Sequence, residues 1–70
     1  MREIIFGLYD HYEIKGYYGY FKNEEDCKSE MKIQSDRLIK KYHLKHLTFF
    51  KNKVSLGDVT ILAIHPIVLR

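Results

Sequence analysis

The spacing of apolar residues changes period twice along this chain, from strand to helix and back, and those changes limit the folds open to it. Over residues 3–9 the chain alternates, with Ile4, Phe6 and Leu8 on one side and Ile5, Gly7 and Tyr9 on the other. A period of two is the mark of a strand whose two faces meet different surroundings. Residues 13–21 continue it, Ile14, Gly16, Tyr18 and Tyr20 alternating with Lys15, Tyr17, Gly19 and Phe21. With the polar break Asp10-His11-Tyr12 between them, the two runs predict a hairpin, and the glycines of the second run mark a bulge or a close backbone approach.

The period then becomes helical. Asn23 stands where an N-cap is needed, and Glu24, Glu25 and Asp26 follow at the positive end of a helix dipole. Cys27, Met31, Ser35, Leu38 and Tyr42 fall on one helical face, Ile39 widens it, and Lys40 and Lys41 occupy the last turn. These signals predict a helix over residues 24–42. Residues 47–51 read as a third strand, 52–58 as a loop or wide turn carrying the Gly57-Asp58 signal, and 59–65 as a fourth strand. The run Ile61-Leu62-Ala63-Ile64 is apolar on both faces, so this strand is expected to be central in the sheet or covered on both sides. Pro66 is expected to stop the ladder, leaving Ile67, Val68 and Leu69 as an apolar tail that must find cover on this molecule or another.

The expected fold is therefore α+β: an antiparallel four-stranded sheet in the order β-β-α-β-β, with one helix across one face. One helix covers one face only. The other is left for solvent, a second copy or a partner, and Tyr9, Tyr17, Phe21 and Phe50 are its expected occupants.

Seventy residues make a single domain, spanning 1–70. A chain this short buries only about 60% of its unfolded surface. Its single cysteine excludes an intrachain disulfide and fits a reducing, cytoplasmic setting. No signal-peptide core and no apolar run of membrane-spanning length is present. Lys, Ile and Tyr are frequent, with one alanine and no tryptophan, a bias that resembles AT-rich genomes, including phages and mobile elements of low-GC bacteria.

Charge is divided along the chain. Residues 1–36 hold eight carboxylates against five cations, whereas residues 37–53 hold six cations (Arg37, Lys40, Lys41, Lys45, Lys51, Lys53) and no carboxylate. A net −3 stretch is thus followed by a net +6 stretch, a division that steers charged partners better than the overall +3 suggests.

Chemistry-bearing groups are few. His43 and His46 are near one another, but zinc needs three or four converging ligands, so neither metal nor cofactor is expected. Asp10 with His11 is the best acid–base pair, yet adjacent residues on a turn point apart. Cys27 lies near a helix start among Glu24, Glu25, Asp26 and Glu30, which disfavour a thiolate. No phosphate-cradling glycine motif occurs. These features predict a non-enzymatic protein-binding module, of the accessory or inhibitory kind that phages and mobile elements encode, acting by stoichiometric binding to a host protein.

Tyr17, Tyr18, Tyr20, Phe49 and Phe50 are the expected apolar contacts, and Lys45, Lys51 and Lys53 the groups that orient a partner with an acidic surface. The alternative is a single-stranded nucleic-acid-binding protein or small transcriptional regulator, in which the same tyrosines stack on bases and the 37–53 cations meet phosphates. A homodimer built on the uncovered face, an edge strand or the apolar tail is a third arrangement. No membrane partner is expected.

Overall fold

The computed structural model describes residues 3–69, so Arg2, one of the five cations of the 1–36 stretch, lies outside the described residues. Its elements are β1 (Glu3–Asp10), β2 (Gly16–Phe21), α1 (Glu24–Tyr42), β3 (Leu47–Phe49), β4 (Lys53–Leu56) and β5 (Val59–Leu69). The sheet is wholly antiparallel, in the order β2-β1-β5-β4-β3. The class is α+β, as expected, but the sheet has five strands rather than four. The additional strand is β4, inside the stretch expected to be a loop. Its residues alternate in type, Val54 and Leu56 with Lys53 and Ser55, but Ser55 is buried as Val54 is, and the adjoining Asn52 and Gly57-Asp58 read as a turn.

Helix α1 runs as its signals dictate. The Asn23 side-chain oxygen accepts from the Asp26 N–H at 2.9 Å, and His43 closes the C-terminus in the left-handed region (φ 54°), its N–H donating to the Ile39 carbonyl. Cys27, Met31, Ser35 and Leu38 form the buried stripe, while Tyr42, expected on it, is exposed at the helix end. Against the stripe pack Leu8 of β1, Val54 of β4 and Ile61, Leu62 and Ile64 of β5, with Phe6, Tyr18, Phe21, Leu44, Leu47 and Leu56 around them. Burying each such aliphatic side chain contributes roughly 1.5–3 kcal/mol, and α1 packs chiefly on β1 and β5, with β2 beside them.

Strand β5 is central, one of the two settings its apolar run leaves open, but it does not end at Pro66. It pairs with β1 from Leu62↔Asp10 through Leu69↔Glu3, so the backbone of the apolar tail is taken into the sheet, while the Val68 and Leu69 side chains stay exposed. The reason is register. The Ile64 N–H donates to the Asn52 carbonyl at 2.8 Å, so even-numbered backbone groups of β5 point away from β1. Pro66 therefore turns its missing N–H toward the side where β4 has already ended, and the ladder to β1 loses nothing.

Candidate binding face

Of the two readings open for the β2 glycines, the strand shows a bulge, beside Gly19 at Tyr18, and it reassigns the tyrosines. Leu8 is opposite Gly19 but Tyr9 is opposite Tyr17, so Tyr18 is the extra residue. Simple alternation puts Tyr18 with Tyr20 and Tyr17 with Phe21. The bulge instead sends Tyr17 and Tyr20 to the face away from α1, and Tyr18 and Phe21 to the helix side, where both pack on the core. Phe21 is thus removed from the uncovered face; Tyr9, Tyr17 and Phe50 stay on it.

On that face the rings gather into one stripe. Tyr9 lies 4.9 Å from Tyr17 and 4.5 Å from His11, ring centre to ring centre; Tyr17 lies 5.1 Å from Tyr20, their planes only 31° apart. His65 of β5 stands edge-on to Tyr9 at 5.9 Å and to Tyr17 at 6.2 Å. Gly7 makes this possible. A side chain there would meet Tyr17 Cε1 at 2.7 Å and Cδ1 at 2.9 Å, so the Tyr17 ring occupies the space that the missing side chain leaves over β1. Tyr17 is 39% and Tyr20 58% exposed, leaving much of each ring open to solvent.

The far end of the stripe is basic. Lys53 pairs with Ala63, itself opposite Tyr9, and its Nζ sits 5.0 Å over the half-exposed Phe50 ring. Lys51 is exposed at the tip of the β3–β4 hairpin. Phe49 points the other way, beneath Lys32 of α1 at 5.0 Å, and Lys45 is exposed in the connection from α1 to β3. Of the eight residues singled out from the sequence, the fold brings Tyr17, Tyr20, Phe50 and Lys53 to one face and puts Tyr18 and Phe49 on the other. His11, His65 and Gly7 complete the stripe; only their register against Tyr9 and Tyr17 marks them.

The helix side near the 11–15 connection is occupied by a closed polar network. Asp10 is fully buried and accepts from the Tyr12 and Glu13 N–H groups at 2.6 and 2.8 Å and from the Tyr18 hydroxyl at 2.6 Å. Arg37 donates to that hydroxyl at 2.6 Å and to Glu13 at 2.7 Å, and Lys41 and the Tyr42 hydroxyl also donate to Glu13, each at 2.7 Å. Burial, reinforced by the Asp10 carboxylate, pushes the Tyr18 hydroxyl up to about 12, so it remains a donor. This network also corrects the charge reading: Arg37 and Lys41, two of the six cations of the basic stretch, are spent on Glu13. Cys27 is buried, and burial with Glu24 and Glu30 pushes its thiol up to about 11.

The donors around Glu13, Arg37 first, lower its pKa from 4.5 to about 2. A carboxylate depressed in the folded state adds stability above its unfolded pKa and loses it as pH falls toward the folded one. Stability is therefore expected to decline from about pH 4.5 to about pH 2. Glu13→Gln should lower the melting temperature at neutral pH and flatten that decline. Denaturation series at stepped pH check this; parallel profiles for the two proteins would refute the assignment.

Among the described residues no group of three His, Cys, Asp or Glu is placed to hold a metal ion, and no helix is long and apolar enough to cross a membrane. Comparison with protein-family models, with curated proteins and with solved structures found no match.

Proposed function

We propose that this protein is a non-enzymatic binding module that works stoichiometrically through the open face of its sheet. One observation carries the reading: a continuous stripe of Tyr20, Tyr17, Tyr9 and His65 lies on the face opposite α1, with Phe50 and Lys53 at its end. Large rings held in place by a sheet lose little freedom on binding, which makes them effective anchors. The Tyr18–Asp10–Arg37–Glu13 network supports the reading from the other side, because its polar groups are already partnered by one another. An accessory or inhibitory role of the phage or mobile-element kind fits a module of this size that occupies a partner's surface.

The test is retention of a partner from bacterial lysate, with and without nuclease, by the wild type, by Tyr17→Ala/Tyr20→Ala and by Ile33→Ala. Ile33 is 58% exposed on the outer side of α1 and serves as the control. Whatever the wild type holds in stoichiometric amount should be lost from the double variant and kept by Ile33→Ala. Equal retention by all three proteins would end the proposal.

A further inference from the structure

We infer that the occupant of the open face is single-stranded nucleic acid, laid across β2, β1, β5 and β4 with its bases on the tyrosines and its phosphates at Lys53. The inference rests on the reading of that face as the contact surface. Tyr17, Tyr9, Ala63 and Lys53 form one row of register partners across four adjacent strands, a span of about 14 Å at the usual strand spacing. That length takes more than one unstacked base.

Two features select this occupant. The first is ring geometry. The Tyr17 and Tyr20 ring centres are 5.1 Å apart, with planes 31° from parallel and both rings partly open to solvent, and Tyr17 is seated low over Gly7. Unpaired bases stack on such rings whatever their sequence, and a duplex hides the π-faces the rings would meet.

The second is charge. From Ile5 to Tyr9, from Ala63 to Ile67, at Tyr17 and Tyr20 and at Lys53, no carboxylate faces this side. Glu3 is at the far tip opposite Leu69, while Asp10 and Glu13 are turned into the helix-side network. A nucleic acid presents π-faces and negative charge together, matching the rings and the cation of the stripe.

The experiment is a fluorescence-anisotropy titration of a fluorescein-labelled twelve-nucleotide oligothymidylate, its duplex with oligodeoxyadenylate as comparison, at 50 and 200 mM salt. The single strand is expected to bind more tightly than the duplex. Tyr20→Ala should weaken it by about tenfold or more, the loss of one stacked base, while Tyr20→Phe, which keeps the ring, should bind like the wild type. Lys53→Glu should weaken binding and reduce the logarithmic salt slope by about 0.7, the share of a single phosphate on a single strand. Ile33→Ala should bind normally. No binding at tens of micromolar protein, equal or better binding of the duplex, or indifference to Tyr20→Ala would overturn the inference. If oligonucleotides fail while a lysate partner still depends on Tyr17 and Tyr20, the nucleic-acid identity falls and the contact face stands. If neither depends on those tyrosines, both fall.

Discussion

Asp10→Ala is expected to destabilise the fold by about 3–5 kcal/mol, the usual consequence of removing one partner from a buried, charge-assisted network. The carboxylate is fully buried and is the acceptor for three donors, the N–H groups of Tyr12 and Glu13 and the hydroxyl of Tyr18. Alanine leaves them without an acceptor. The Tyr18 hydroxyl also positions Arg37, so the helix end loses part of its hold on the 11–15 connection. A domain of this length is stable by roughly 4–10 kcal/mol in total, so the variant loses a large share of its stability and should unfold at a much lower urea concentration. Asp10→Asn keeps one oxygen for the two N–H groups and should cost less. Urea denaturation of the three proteins reads both effects; an Asp10→Ala stability within about 1 kcal/mol of wild type would mean that the network is not formed in solution.

Gly7→Val is the complementary change, acting on function with little effect on the fold. Valine suits a strand, and any Cβ at this position displaces the Tyr17 ring, which approaches within 2.7 Å of it. The ring is partly exposed and has room to swing outward. Ile67 Cδ1, 3.3 Å from the added Cβ, must also give by a few tenths of an ångström. The stripe is then broken between Tyr9 and Tyr20, while the helix-side core and the Asp10 network are untouched.

Much of this was legible in the sequence because it depends on local rules. The helix bounds follow from Asn23, the acids behind it and the lysines at its end, and the N-cap bond to Asp26 is the interaction those residues predict. The central place of β5 fits an apolar run with no polar face. What escaped depends on pairing. Tyr18 turns inward because Leu8 and Tyr9 lie opposite Gly19 and Tyr17, and a bulge of one residue reverses every alternation beyond it. Pro66 is tolerated because β4 ends before reaching it, a matter of neighbouring strand length rather than of local propensity. Arg37 and Lys41 read as free cations until the fold brings Glu13, distant in sequence, against them. His65 shows its place beside Tyr9 only once β5 is set in register against β1.

Binding is assigned to the open face rather than to the fold as a whole. The sharpest test is the affinity of Gly7→Val for the labelled oligothymidylate, measured beside its melting curve. A melting temperature within about 8 °C of wild type is expected, as for a change of 1 kcal/mol or less, with an affinity about tenfold or more weaker. A variant that melts like the wild type and also binds like it, with the Tyr17 ring displaced, would show that the open face is not where binding occurs.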